Sequence, residues 1–280
     1  MSIFKNKTRS LTKASLALAT ISLLSGCIVI ASPSHADVHE KKELTLTASS
    51  LKKLDIEAGA GGLIIKGSKQ ATEITVIADI YTSSKSTSSY DFELSDSGST
   101  AFLVAKTSSS GSWMGSSPHI DLVVTVPSTM MLEVSDGSGE IEVTDIDGAI
   151  SITDGSGGLS LNNIHNTVSI VDGSGGIELT NIEGSVDIED GSGGITLNDI
   201  GGDLSIDDGS GSIYARGISG NADINDGSGD LTVKKVTGII TLDDGSGDID
   251  IEEAGGLKII DSGSGGLKVR NVKGGFEIDS

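Results

Sequence analysis

From Asp136 to Ser280 the tetrapeptide Asp-Gly-Ser-Gly returns every 18 residues, with no insertion or deletion anywhere in the series. Seven copies begin at Asp136, Asp154, Asp172, Asp190, Asp208, Asp226 and Asp244, and an eighth, altered to Ser262-Gly263-Ser264-Gly265, falls on the same step. A step that never varies means one structural unit stacked on itself, because each unit must meet its neighbour at equivalent positions.

Within the unit Asp172 to Glu189, apolar residues stand at Ile177, Leu179, Ile182, Val186 and Ile188, mostly with polar residues between them. Spacing of two is the period of a strand with one buried face. Two short strands, Ile177 to Leu179 and Val186 to Ile188, are therefore expected, joined by one turn at Asp-Gly-Ser-Gly and another near Asn181 to Gly184. At the second corner Gly148, Gly184, Gly202, Gly220, Gly238, Gly256 and Gly274 recur, with Asn166 in the remaining unit. Glycine and asparagine tolerate positive φ, so a left-handed residue is expected there.

Five aliphatic side chains cannot close a core alone, but eight units stacked about 4.8 Å apart form a column of roughly 40 Å with a continuous dry interior. Ile152, Ile170, Ile188, Ile206, Ile224, Leu242, Ile260 and Ile278 are expected to lie above one another. The fold class is all-β, a parallel β-solenoid of 18-residue coils with an irregular β-rich N-terminal cap. In the last units Leu257, Ile259 and Ile260 bring the alternation one residue early around Lys258, and a bulge is the expected remedy.

Ahead of the repeats, residues 1–36 read as an export signal: Lys5, Lys7, Arg9 and Lys13 precede an apolar run from Leu16 to Leu24. Leu24-Ser25-Gly26-Cys27 resembles a bacterial lipobox, which implies cleavage before Cys27, lipid attachment to it, and with Ile28 following, sorting to an outer membrane. An alternative is ordinary cleavage after Ser34-His35-Ala36, giving a periplasmic or secreted chain that starts at Asp37. Cys27 is the one cysteine, so no internal disulfide is possible.

Residues 37–43 read as a polar tether, residues 44–135 as the cap, and residues 136–280 as the solenoid. Leu54 to Ile65 is a degenerate coil in which Ala58-Gly59-Ala60-Gly61 stands for Asp-Gly-Ser-Gly. Trp113 and Met114 sit in a serine-rich loop, either as a contact point or folded over the open end of the column.

The Val126-Pro127 step, the strand Leu132 to Val134, the Gly137-Ser138-Gly139 turn and the Ile141/Val143 pair resemble, together, a widespread bacterial family of adhesin-like domains of unknown function built from β-strand repeats. The resemblance covers most of residues 44–280. It implies a β-solenoid and an envelope location, and no catalytic residues to carry over.

Without the signal the chain has 15 basic against 40 acidic residues, a net charge of −25. That balance disfavours nucleic acid as a partner. The partners expected are the membrane, through the lipid, and an envelope protein or glycan. Residues 136–207 hold 15 acidic residues and no Lys or Arg. Carboxylates stacked one per coil would repel by about 0.9 kcal/mol per neighbouring pair even in bulk water.

Each turn aspartate can offset that repulsion by accepting hydrogen bonds from the Ser and Gly amides that follow it. The alternative is a cation ladder on Asp136, Asp154, Asp172, Asp190, Asp208, Asp226 and Asp244, with Ca²⁺ the most plausible ion. The register Gly-Gly-x-Gly-x-Asp of calcium-binding β-rolls is absent, so no cofactor is assigned. His35, His39, His119 and His165 show no zinc spacing. No G-x-S-x-G elbow exists, and at 3% aromatics there is little platform for a polysaccharide-acting enzyme. The sequence therefore reads as a non-enzymatic, lipid-anchored envelope scaffold or contact surface. A metal-folded calcium β-roll and a polysaccharide-acting enzyme are the alternatives.

Overall fold

The computed structural model describes residues 38–82, 87–110 and 117–278. Cys27, the export signal, Trp113 and Met114 lie outside the described residues. The described chain is all strand and turn, forming one continuous sheet.

One coil consists of two strands. In the first complete coil these are β8 (Met131–Asp136) and β9 (Gly139–Ile146), and the next coil adds β10 (Ile150–Asp154) and β11 (Gly157–Ile164). Pairing is parallel and offset by one period, so that β10 lies on β8 and β11 on β9, with Ile152 opposite Val134 and Leu159 opposite Ile141. The same register carries Ile170, Ile188, Ile206, Ile224 and Leu242 in one column.

Burial follows the predicted alternation: Ile177, Leu179, Ile182, Val186 and Ile188 are all inside. A sixth side chain is also inside, and it is the aspartate. Val186, Ile188 and Asp190 keep the same parity, and the strand runs through Asp190 instead of ending at Ile188.

The glycines act differently from the expectation. Positive φ at the second corner falls three residues earlier, at Asp145, Asn163, Asn181, Asp199, Gly217, Lys235, Glu253 and Asn271. Gly148 and Gly184 are needed because the previous coil's backbone passes where a Cβ would stand, at Met130 and Asn166 respectively. At the first corner both glycines of the tetrapeptide face such an approach. The second of them, as at Gly193 with φ of 150°, is left-handed as well.

The irregular coil resolves into two compensating defects. Val236 pairs with Ala254 but Ile239 pairs with Gly256, so the lower coil is one residue short at the corner. It regains the residue where Leu242 pairs with Ile259 and Asp243 with Asp261, which expels Ile260. Ile260 is 44% exposed and does not join the column; Ile259 takes its place. Ile278 lies over Ile259 but stays exposed in the last described coil.

At the other end the ladder changes direction. β2 (Lys53–Ala58) lies parallel on β8, and β3 (Leu63–Ser68) parallel on β9. These place Leu54, Ile56, Leu63 and Ile65 over Leu132, Val134, Ile141 and Val143. Beyond them lie β6 (Thr100–Ser110) and β7 (His119–Pro127), still parallel. β4 (Glu73–Thr82) and β5 (Thr87–Ser97) then pair antiparallel with β7 and β6.

β1 (Val38–Thr47) pairs antiparallel with β4 along its whole length. The stretch expected to be a tether is therefore an edge strand from Val38 onward. Its charges and polar residues suit an edge, which must not invite further pairing. Lys41 and His39 both reach Asp79 on β4.

Two substitutions test this packing. Ile188→Asp places a charge at a position with 0% exposure and is expected to cost about 4 kcal/mol or more. Gly193→Ala adds a Cβ where the Gly175 carbonyl stands and should also destabilise strongly, whereas exposed Gly275→Ala meets no atom within 4 Å and sits outside the positive-φ region. Denaturant midpoints measure all three.

Candidate functional site

The tetrapeptide corner brings the seven candidate aspartates into a row inside the column. Their exposure runs from 7% at Asp136 to 0% at Asp244. In Asp154, Asp172, Asp190, Asp208 and Asp226, Oδ1 accepts a hydrogen bond from the serine amide two residues on, at 2.9–3.3 Å. The main-chain carbonyls of Asp136 through Asp226 are also engaged, each accepting from the first glycine amide of the next coil at 2.8–3.2 Å. Oδ2 is buried without a hydrogen-bond partner in all seven, as is Oδ1 of Asp136 and Asp244.

Burial raises the carboxyl pKa of every member. It reaches about 6 at Asp136, Asp190 and Asp226, where neighbouring aspartates add to the effect of burial. The donor set does not suit Ca²⁺, which takes six to eight oxygens, because from Asp154 to Asp226 each coil offers one free carboxylate oxygen and the adjacent aspartate carbonyls already accept a glycine amide. Among the described residues no group of three or more His, Cys, Asp or Glu is placed to hold a metal ion. Alternation into the turn was the available sequence signal for this burial.

Other polar rows lie outside. At the left-handed corner Asn163 donates to Asp145 at 2.5 Å, and Asn181 donates to Asn163 at 3.0 Å. One coil position along, Ser128 Oγ donates to Asp147 Oδ2 at 2.5 Å, and the other Asp147 oxygen lies 2.8 Å from His165 Nδ1. His165 Nε2 faces Glu183 at 3.6 Å. Ser128, Asp147 and His165, with Lys69 and Gln70, line a cleft of about 260 Å³.

The order of contacts matters here. A nucleophilic serine must be bonded to its base, with the carboxylate behind that base. Ser128 instead bonds the carboxylate directly, so the group pins the β7–β8 turn to the second coil. The Ser128 hydroxyl, followed by His165, holds Asp147 below the usual carboxylate range.

The cap gathers residues that are scattered in sequence. His39, Tyr81 and His119 stack across β1, β4 and β7, with centroids 4.6 and 4.5 Å apart. Tyr81 lies between the other two rings, so its faces are spent on them.

On the outer face of the strands stacked below β8 and β10 runs a trough of about 710 Å³. Its walls include Ser185, Asp187, Asp203, Ser205, Asn221 and Asp223. At the C-terminal coils Arg270 is bound by Asp250 and Glu252, and Lys268 lies 3.9 Å from Asp250. No described helix is long and apolar enough to cross a membrane.

No protein-family model matches the chain, and no curated protein matches it. Solved structures do. The chain is similar to bacterial proteins described as putative adhesins.

One, a "putative cell adhesion protein" from Clostridium sporogenes, is 13% identical, with 85% of this chain and 99% of that chain covered at a TM-score of 0.25. A "putative adhesin" from Bacteroides fragilis is 11% identical over 86% of this chain and 97% of that one, at 0.28. Another from Parabacteroides merdae is 13% identical over 86% and 96%, at 0.26. The architecture rests on the strand register given above, and no activity is transferred from these proteins.

Ser128→Ala removes the hydroxyl from Asp147 and is expected to cost about 1 kcal/mol in denaturation at neutral pH. Because the folded Asp147 pKa is lowered, its contribution is present above about pH 4 and fades as pH falls further. The difference between Ser128→Ala and wild type should shrink in the same range.

Proposed function

We propose that the chain is an exported envelope protein, lipid-anchored through Cys27, whose rigid acidic solenoid serves as a non-enzymatic scaffold or adhesin-like contact surface. The observation that carries this reading is where the reactive side chains go. The turn aspartates are consumed by the core and Asp147 by Ser128 and His165, leaving no nucleophile bonded to a base in those groups.

What the solenoid offers outward is a set of straight polar rows repeated at one coil per step. Such rows suit contact with an extended envelope protein or glycan. The strong negative charge favours solubility and repels anionic surfaces, which agrees with a body held off a membrane by its N-terminal end.

Fatty-acid labelling of wild type and Cys27→Ala in the native cell, with protease shaving of intact cells, tests the reading. Label that requires Cys27, with loss of residues 44–280 on shaving, is the expected result. Absence of label with a mature start at Asp37 would remove the anchor, and protection from protease would remove the exposed contact role.

A further inference from the structure

We infer that the interior row from Asp136 to Asp244 is a proton-binding column, which takes up protons from solvent on mild acidification and then hydrogen-bonds from carboxyl to carboxyl along the solenoid axis. The geometry carries this. Seven carboxyls stand one per coil, about 4.8 Å apart, each with a buried oxygen that no protein donor reaches. A buried oxygen without a donor is costly, and a charge there costs more.

A proton removes both costs at once. It neutralises the group and converts the unpartnered oxygen into an O–H donor facing the next carboxyl in the row. The proton comes from bulk water and returns there when pH rises, so no other reactant is needed. A metal ion would need several oxygens at each level, and the nearby carbonyls already accept glycine amides.

The charged groups acting on the row are acidic. Its members act on one another, Asp207 acts on Asp208, and Asp243 and Asp261 act on Asp244. Toward the cap the register continues to Ala58 and Ala105, which carry no charge. Nothing in this set opposes protonation except the serine and glycine amides at each corner.

The direction for stability follows from linkage. A carboxyl whose folded pKa is raised contributes fully below its unfolded value near 4, and the contribution is lost as pH rises through the folded value, about 6 at Asp136, Asp190 and Asp226. Exposed carboxylates also repel one another less in acid, so the column must be separated from the net charge of the chain.

Asp190→Asn does this, because an amide keeps the acceptor for the Ser192 amide and supplies the donor that the acid form would supply. Asp187→Asn, outward on the same coil, removes the same charge from the surface. Thermal unfolding of the full mature chain is measured at pH 4.5, 6 and 7.5, with and without EDTA.

Asp190→Asn should match wild type at pH 4.5 and melt a few degrees higher at pH 7.5, roughly 3–6 °C, with no effect of EDTA. The offset between Asp187→Asn and wild type should vary much less with pH. A lower melting temperature for Asp190→Asn at pH 7.5 would overturn the proposal, and sensitivity of wild type to EDTA would assign the row to a cation instead.

A readout that needs no variant is the ¹³C carboxyl titration of aspartate-labelled protein. Resonances titrating near pH 6, well above the exposed aspartates, are expected. Midpoints confined to the range around 4 would overturn the column as a proton site.

Discussion

The structure depends on backbone meeting backbone between coils at the Asp-Gly-Ser-Gly corner. The first glycine amide bonds the aspartate carbonyl of the coil before, and the second glycine amide bonds the serine carbonyl of the coil after. Both glycines stand where a side chain would strike the neighbouring main chain. A close approach repeated every 4.7–4.9 Å leaves no room for drift. One inserted residue would turn every following side chain to the other face, which is why the period holds at 18. Where one residue is lost beside Gly255, one is regained at Ile260 within the same coil.

Much of this was legible because solenoid packing is written in local terms. Alternation gives the inward columns, the step gives the stacking, and the Ala58 to Gly61 corner in place of Asp-Gly-Ser-Gly marks a coil over β8 and β9. The serine amide bond to each turn aspartate was legible, but the burial of the aspartates was not, for a physical reason. Charge argues for solvent, but parity argues for the core, and here parity prevails because the corner supplies an amide to one oxygen.

The left-handed residue at the second corner was hidden for a related reason. Asp145, Asn163, Asn181, Asp199, Gly217 and Asn271 are of the types that tolerate positive φ, but the glycine row three residues on is more uniform and draws the eye, and Lys235 and Glu253 adopt the same φ because neighbouring coils impose the backbone path. Val38 to Glu43 carried no apolar alternation to report, because an edge strand on β4 is held by main-chain pairing and by Asp79. The stack of His39, Tyr81 and His119 joins residues far apart in sequence, and only the antiparallel cap brings them together.

The two ends of the solenoid meet the edge problem differently. A parallel stack exposes unpaired main-chain groups at each end, which are a template for further strands. At the cap the chain reverses direction, so β4 and β5 cover the last parallel coil in antiparallel register and β1 extends the same sheet. At the other end Leu267, Phe276 and Ile278 remain 39–53% exposed in the last described coil. Each coil contacts its immediate neighbours, so this difference weakens the terminal coil without reaching the middle.

Placing a carboxyl instead of an aliphatic side chain in seven successive coils is a poor use of a dry interior, since burial without a full set of partners costs stability. Its compensation lies in shape. An aliphatic residue at Asp190 would be equally content at any inward position, whereas a carboxyl is tolerated only where an amide such as that of Ser192 points inward. The aspartate therefore ties the path of the chain to one corner geometry, as buried polar groups fix register in other repeating assemblies. In a chain of near-identical coils, where aliphatic columns could slide past one another at little cost, a polar group that fits one place distinguishes one stacking from the rest.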